Sequence, residues 1–313
     1  MIRTLNILTP SRPVTIALSG GVDSIVLADL AVKWGKDNGQ VIHAVHVNHG
    51  LSERADEWST FVEKFCEDRH IQLHVVNVVL DRKNGESLED IARKARHRAL
   101  IDYSPASSQI VFGHHLDDQL ETMLIALKRG SGALRMAGMQ KISEREDSKT
   151  FVRPLIETEK SDILAYAESE DLAWVEDESN EDSAFDRNFL RNEIIPLLKN
   201  RWPGILSSTA RSSRILRDEA KLLEDHAKTL LRESCKGGEL RISNLNEMTD
   251  EQRKLVIRYW IMEMGIVSPR EDKVAMIYKE VAMARPERTP QLRVDGGVVK
   301  RRKGHLYFTK SEN

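Results

Sequence analysis

The sequence predicts an α/β protein, in which a doubly wound parallel sheet is followed by a smaller, mainly helical domain. Strand-like and helix-like apolar patterns alternate through the first half of the chain, as in parallel sheets with helices on both faces. From about Pro203 onward the patterns are helical. The length of 313 residues is sufficient for two domains. Ligands of doubly wound sheets bind beyond the carboxyl ends of the strands, so candidate site residues should follow strands directly.

Strands and helices of the predicted sheet follow one another in turn. The strand-like runs are residues 14–18, 41–47, 72–79 and 109–113. The helix-like runs are residues 22–36, 52–69, 87–103 and 114–128. We assign residues 1–205 to a catalytic domain that contains this sheet, and residues 206–313 to the mainly helical domain.

The composition is that of a soluble globular protein, with 40% hydrophobic and 31% charged residues. No apolar run approaches the length of a membrane span, and nothing resembles a signal peptide. We therefore expect a cytoplasmic protein without a membrane partner. Cys66 and Cys235 form no C-x-x-C pair, which argues against a disulfide framework, a zinc ribbon or an iron–sulfur cluster. The sequence does not determine the oligomeric state, and a homodimer is among the alternatives.

The first strand joins the first helix through a short glycine-rich turn, within TIALSGGVDS. Glycines bring bare N–H groups up to a ligand, and the following helix directs its positive end to the same place. Ser19 and Ser24 add hydroxyl groups, while Asp23 repels a phosphate unless a metal ion bridges the two. This combination suits a magnesium-bound pyrophosphate group. Neither G-x-x-x-x-G-K-[ST] nor G-x-G-x-x-G is present, and a turn without any ligand is the alternative.

A second polar cluster follows the fourth strand, in GHHLDDQLETMLIALKRGSG. His114 and Asp118 are four residues apart and share one helix face, as Asp117 and Glu121 share another. At the mouth of a parallel sheet, such a face can hold magnesium or move a proton. A solvated helix surface is the alternative.

The turn resembles the S-G-G-x-D-S loop of the N-type ATP pyrophosphatases, PP-loop enzymes that cleave ATP to AMP and pyrophosphate. The resemblance implies a sheet of the adenine nucleotide hydrolase type, ATP as a substrate and Mg²⁺ as its companion ion. The loop residues that it assigns to ATP are Ser19, Gly20, Gly21, Val22, Asp23 and Ser24.

Four further segments resemble the tRNA(Ile)-lysidine synthetases within this group. HVNHGLS is similar to H-V-x-H-G-L-S, and EDIARKARH to E-x-x-A-R-x-x-R-Y, with His97 where the family has tyrosine. HLDDQLET with KRGSG is similar to H-L-D-D-Q-x-E-T and K-R-G-S-G. The segment from Trp174 is similar to W-x-x-D-x-S-N-x-D-x-x-Y-x-R-N-x-x-R, with Phe185 at the tyrosine. The resemblance covers most of residues 14–202 and, more weakly, the chain to about residue 308.

This resemblance implies roles for residues outside the loop. Arg93 and Arg96 share one face of the third helix, where a solvated, salt-bridged surface would be favoured by pattern alone. The resemblance implies that one or both hold phosphate of ATP or tRNA. It also implies that the residues contacting the tRNA substrate include His49, Lys128, Arg129, Arg187, Asn188 and Arg191.

The resemblance further implies the reaction. L-lysine is joined to C2 of the wobble cytidine of the isoleucine tRNA with a CAU anticodon, and codon reading changes from AUG to AUA. The cytidine oxygen attacks ATP, giving an adenylated base and pyrophosphate, and the ε-amine of lysine then displaces AMP. That amine is mostly protonated at neutral pH, so a base is needed, and Asp118 and His114 are the candidates. Magnesium is assigned to some of Asp23, Asp117 and Asp118.

A basic stretch lies near the end of the chain, between Arg285 and Lys303. It holds seven basic and two acidic residues, a net charge of +5. A highly charged tRNA needs contacts beyond one wobble base, and we expect Arg301 and Arg302 among its phosphate contacts. A solvated basic surface is the alternative.

Three other functions share some of these features. A tRNA 2-thiolation enzyme would share the loop and the tRNA, but its usual paired cysteines are absent. An amidating or NAD-synthesising pyrophosphatase would share the loop but has no need of the basic stretch. A nucleotide-binding sensor without catalysis would have little use for a pyrophosphate site.

Overall fold

The computed structural model describes residues 1–50, 52, 54–78, 88–145, 148–178, 182–266, 271–285, 289–294 and 296–310. The chain divides into two compact units, Met1–Leu216 and Arg217–Asn313. The boundary of the predicted catalytic domain at residue 205 stays a prediction. Several residues of the sequence patterns lie outside the described part, namely Ser87, Ser179, Asn180, Glu287, Arg288 and Asp295.

The described residues of the first unit form a six-stranded sheet in the order β3-β2-β1-β4-β6-β5. Its strands are β1 (Val14–Ala17), β2 (Ile42–Asn48), β3 (Gln72–Asn77), β4 (Gln109–Val111), β5 (Ile142–Glu144) and β6 (Thr150–Val152). Neighbouring strands are parallel except for β5, which runs antiparallel to β6. The predicted doubly wound parallel sheet is confirmed. The sequence analysis did not predict β5 and β6, each of which is three residues long.

Helices cover both faces of this sheet. They are α1 (Val22–Asn38), α2 (Ala55–Arg69), α3 (Leu88–Tyr103), α4 (Leu116–Lys128), α5 (Ala133–Met136), α6 (Lys160–Ser169), α7 (Asp186–Phe189) and α8 (Ile195–Arg201), with a 3-10 helix at Ile2–Ile7 and a π-helical turn at Leu190–Ile194. Ile110 and Phe112 belong to one buried cluster, and Val111 to another on the opposite face. In keeping with burial on both faces, every residue of β4 and β6 is buried, whereas half of the residues of the edge strand β3 are exposed.

The second unit combines the predicted helices with an antiparallel sheet. Its helices are α9 (Ile205–Ser234), which begins before the unit boundary, α10 (Ile242–Glu247), α11 (Asp250–Glu263) and α12 (Glu271–Met276), with a π-helical turn at Ile277–Ala282. Its strands are β7 (Cys235–Lys236), β8 (Glu239–Arg241), β9 (Gln291–Val294), β10 (Gly297–Arg302) and β11 (His305–Lys310), in the order β7-β8-β11-β10-β9. Among the residues described, no helix is both long and apolar enough to span a membrane.

The basic stretch lies partly on β10, where alternate side chains point to opposite faces of the sheet. Val299 is fully buried in the core of the second unit, and Arg301 lies on the same side of the strand. The Arg301 guanidinium donates hydrogen bonds to the carbonyl oxygens of Ala282, Ala284 and Arg285, at 3.0, 2.5 and 2.9 Å. These bonds tie Arg301 to the end of the π-helical turn and the residues after it, and its contact with tRNA stays a prediction.

Arg301→Ala is expected to lower the free energy of unfolding by about 1–3 kcal/mol, because three backbone carbonyl groups lose their donor. Arg302→Ala is the matched control. It removes an exposed arginine from the opposite face of the strand and should change stability by less than about 0.5 kcal/mol. Urea unfolding measures both values. Equal losses in the two variants would contradict the structural role of Arg301.

Candidate active site

The carboxyl ends of β1, β4 and β6 lie side by side, and each leads into a polar segment. The loop of residues 19–24 follows β1, the segment from Gly113 to Asp118 follows β4, and Arg153 follows β6 directly. The sheet therefore brings both polar clusters of the sequence to one edge, where doubly wound proteins bind ligands.

The 19–24 loop is held from the inside by Ser24. Its Oγ accepts hydrogen bonds from the backbone N–H groups of Ser19 and Gly20, at 3.2 and 3.1 Å, and donates to the Gly21 carbonyl at 2.9 Å. Gly20 has a φ of 92°, a value that favours glycine. Ser19 is exposed, so its hydroxyl group is accessible to a ligand, whereas Ser24 is buried and shapes the loop.

Gly113 lets the end of β4 approach the first turn of α1. A Cβ atom at this position would lie 2.8 Å from the carbonyl oxygen of Asp23 and 3.1 Å from the nitrogen of Ser24. Both distances are shorter than ordinary van der Waals contact, so a side chain here would displace the loop. The sequence patterns did not single out this glycine.

A buried imidazole lies among the carboxylates of the site. His115 is 3% exposed, with Nε2 at 3.7 Å from Asp23 Oδ2 and 3.5 Å from Asp118 Oδ2. Its Nδ1 is 3.6 Å from Asp117 Oδ2. Burial alone would lower the pKa of His115, but the three carboxylates raise it above its usual value. His115 therefore acts as a shared counter-charge.

Two lysines from distant parts of the chain complete the charge balance. Lys160 Nζ lies 2.6 Å from Asp23 Oδ1, and Lys199 Nζ lies 2.9 Å from Asp117 Oδ1. The backbone N–H of Lys160, at the start of α6, donates to Asp117 Oδ2 at 3.0 Å. Burial opposes ionisation of Asp117, but His115, this N–H group and Lys199 hold its pKa well below the usual range.

These contacts involve the three carboxylates that the sequence assigns to magnesium, Asp23, Asp117 and Asp118, and that assignment stays a prediction. Their oxygens already face Lys160, Lys199, Arg191 and His115, and Asp118 also accepts the backbone N–H of His115 at 2.9 Å. Within the described ranges, no group of three acidic, histidine or cysteine side chains is arranged to hold a metal ion. Sequence spacing placed the carboxylates at one edge but could not show that cations occupy the space between them.

Glu121 and Arg191 form a second buried ion pair beside Asp118. Glu121 is fully buried, and its carboxylate is bound by Arg191 Nε at 2.8 Å and by Arg187 Nε at 3.3 Å. Arg191 Nη2 also reaches Asp118 Oδ1 at 3.2 Å. Burial and the Asp118 charge raise the pKa of Glu121. The charges of His115 and Arg191, with the backbone N–H of His115, keep the pKa of Asp118 low despite its burial.

His114 packs against Phe112, with ring centroids 5.5 Å apart. Its Nδ1 is buried without a hydrogen-bond partner. Burial lowers the pKa of His114 to about 3, and the charges of Arg153 and Arg187 act in the same direction. At neutral pH both predicted bases, His114 and Asp118, are thus in their unprotonated forms.

The segment after β2 supports the loop and reaches α3. His46 is hydrogen-bonded through Nδ1 to the carbonyl oxygen of Leu18, at 2.8 Å, next to the 19–24 loop. His49 Nε2 accepts a hydrogen bond from Arg96 Nε at 3.4 Å, and burial and the Arg96 charge lower the pKa of His49 to about 4. The structure thus brings the predicted residues His49 and Arg96 together, and Arg93 lies one turn earlier on α3, with both arginines exposed.

The remaining predicted tRNA contacts lie near the end of α4 and around α7. Lys128 is paired with Asp186, its Nζ lying 2.6 Å from Oδ1. Asn188 donates to the carbonyl oxygen of Asp182 at 3.0 Å, and Arg129 is exposed just beyond α4. Their roles toward tRNA stay predictions.

Comparisons with known proteins agree with this geometry. The family model of the PP-loop domain matches residues 2–198, and that of the TilS substrate binding domain matches residues 240–307. The tRNA(Ile)-lysidine synthase of Shigella flexneri is 38% identical over 97% of this chain and 70% of its own. That of Vibrio atlanticus is 36% identical over 97% of this chain and 69% of its own. The chain belongs to the tRNA(Ile)-lysidine synthase family. This confirms the predicted resemblance and, with it, an ATP-dependent ligase of the PP-loop type.

A solved structure with the same fold is the U34-tRNA thiolase of Methanococcus maripaludis with its [4Fe-4S] cluster. It is 22% identical, with a TM-score of 0.57, and the match covers 69% of this chain and 77% of the thiolase. This likeness concerns the fold alone. The relatives of the tRNA(Ile)-lysidine synthase family leave the 2-thiolation alternative without support.

Gly113→Ala is expected to weaken ATP binding by roughly ten-fold or more, because the added methyl group would push the end of β4 away from the 19–24 loop. Gly204→Ala is the matched control, because the nearest atom to its added Cβ would lie at 3.7 Å, an ordinary van der Waals distance. Calorimetric titration with ATP gives the two dissociation constants. Equal affinities in both variants would show that the close approach at Gly113 is unimportant for the nucleotide.

Proposed function

We propose that this protein joins L-lysine to C2 of the wobble cytidine of the CAU-anticodon isoleucine tRNA, through an adenylated cytidine, with release of pyrophosphate and AMP. The proposal also places it in the cytoplasm and assigns catalysis to residues 1–205 and tRNA binding to residues 206–313. The observation that carries it is the match of nearly the whole chain to tRNA(Ile)-lysidine synthases, with an S-G-G-x-D-S loop at the start of α1.

In this proposal the 19–24 loop holds the leaving pyrophosphate. The first N–H groups of α1 and the hydroxyl group of Ser19 are its donors, and they are in place before the reaction. Lys160, which lies against Asp23 in the unliganded site, adds a cation. ATP would arrive as its magnesium complex, in which the ion neutralises phosphate charge, and Asp23, itself part of the loop, would be one of the carboxylates that hold the ion.

The second step needs a proton acceptor for the ε-ammonium group of lysine. Asp118 and His114 stay the candidates, and both are unprotonated at neutral pH, as an acceptor must be. Asp118 is the stronger candidate of the two, because its negative charge also attracts an ammonium group. Arg191, bound to both Asp118 and Glu121, orients this carboxylate.

The outer face of the second sheet is the surface that we propose for tRNA. Arg241, His305 and Arg302 stand in one row across β8, β11 and β10, because His305 pairs with each of the others. Lys300 pairs with Tyr307 in the next row of the same face. Leu306 and Val299 fill the opposite, buried face. Cations with an aromatic ring between them suit a phosphodiester backbone.

ATP and the isoleucine tRNA without lysine are expected to give pyrophosphate and a trapped adenylated tRNA, because activation of the base precedes attack by the amine. Mass spectrometry of the digested tRNA identifies the adduct. Adding lysine should replace it with lysidine and AMP. Asp23→Ala should release no pyrophosphate while retaining tRNA affinity within a few-fold. Formation of an adenylated lysine in place of an adenylated tRNA would refute the proposed order.

The double variant Lys300→Ala/Arg302→Ala is expected to weaken tRNA binding and to flatten the slope of log affinity against log salt by about 1–2 units, since each lost phosphate contact removes roughly 0.7–0.9. ATP affinity should not change. Lys36→Ala/Lys64→Ala, which removes exposed lysines from the later halves of α1 and α2, is the control. An unchanged slope in Lys300→Ala/Arg302→Ala would show that this face is a solvated surface and does not bind tRNA.

A further inference from the structure

Arg153 is a buried cation whose charge is left uncompensated by the described part of the chain. It is 7% exposed and follows β6 at the carboxyl edge of the sheet. Its Nη1 donates to the Gln140 carbonyl oxygen at 2.9 Å, while its buried Nε has no hydrogen-bond partner. None of the described carboxylates pairs with it. A buried charge in this state is strongly unfavourable, so an anion from outside the chain is the natural partner.

The surroundings of Arg153 are aromatic and positively charged. Its Cζ lies 5.4 Å from the ring centroid of Phe112, whose ring packs at 4.8 Å against Phe151. His97, on α3, packs edge-on against Phe112 and Phe151, at 6.0 and 5.3 Å. The His114 ring also stacks on the ring of Phe112. Its Nδ1 is a second buried nitrogen without a hydrogen-bond partner.

The two imidazoles beside Arg153 do not compensate its charge. Burial, together with the charges of Arg93, Arg145, Arg96 and Arg153, lowers the pKa of His97 to about 4. His114 is affected likewise by burial and by Arg153 and Arg187, although Asp118 opposes the shift. Both rings are neutral near pH 7, so neither is an anionic partner for Arg153.

We propose that Arg153, with the face of α3 that carries Arg96 and His97, forms a second anion site that takes a phosphate group of a bound substrate. Two strand spacings, about 10 Å, separate β6 from β1, so this site is distinct from the 19–24 loop. The phosphate group is that of ATP or that of the tRNA backbone next to the wobble base. That choice of substrates rests on the proposed function.

Binding of inorganic phosphate to the unliganded protein tests the site without any reaction. Phosphate should raise the melting temperature of the wild type more than chloride at equal ionic strength, and Arg153→Met should reduce that difference. Arg12→Met is the matched control, because Arg12 also donates to carbonyl oxygens, those of Ser107 and Ser148, but it precedes β1 at the opposite edge of the sheet. An identical phosphate effect in Arg153→Met and the wild type would overturn the proposal.

Separate titrations with ATP and with an anticodon-stem hairpin of the tRNA identify the source of the phosphate. Arg153→Met should weaken one of the two by about 10- to 100-fold, the loss of one charged hydrogen-bonding group. Arg153→Lys keeps the charge but loses the planar guanidinium, so it should lose part of the affinity for the same ligand. If Arg153→Met does not fold, Arg153→Lys alone provides the test. Unchanged affinities for both ligands would overturn the proposal. Absence of lysidine formation by the wild type would refute the proposed function while leaving the phosphate result valid.

Discussion

The ion pairs around His115 are the interaction on which the candidate site depends. Three carboxylates within 4 Å of one imidazole would repel one another strongly if they were left without cations. His115, Lys160, Lys199 and Arg191 supply the positive charge, each from a different segment of the chain. Charge balance therefore fixes the starts of α1, α4 and α6 and the segment around α8 against one another, and the 19–24 loop is held in place as part of this arrangement.

Local sequence patterns were sufficient to predict the fold but not the pairing of charged side chains in the candidate site. The loop and its strand and helix lie within one continuous stretch, so their residues show both the turn and its ligand chemistry. Lys160 is 137 residues from Asp23 and Lys199 is 82 residues from Asp117, and no spacing rule links such pairs. The carboxylates and their spacing are visible in the sequence, whereas their cationic partners are not.

The basic stretch of the second unit shows the same limit in a different form. A run such as Lys300-Arg301-Arg302-Lys303 reads as a single positive patch in the sequence. In the structure, strand alternation divides it, so that Arg301 caps backbone carbonyl groups while Lys300 and Arg302 face the other side. The strands themselves escaped prediction because they are short and rich in charge, and only one of their faces is apolar. Composition thus identified the charge of this surface, and register determined which residues form it.

The two halves of the sheet edge differ in how their charge is balanced, and this difference bears on catalysis. Around His115, every described carboxylate has a cation, so this half is stable without a ligand. Around Arg153, aromatic rings and guanidinium groups lie together, and no described carboxylate pairs with Arg153. The charge of this half is therefore balanced only when a phosphate group binds. Sites that sacrifice unliganded stability for binding are expected where function requires it. A protein that must hold two polyanionic substrates at once gains from this division, because the balanced half fixes the geometry of the loop and the unbalanced half attracts phosphate.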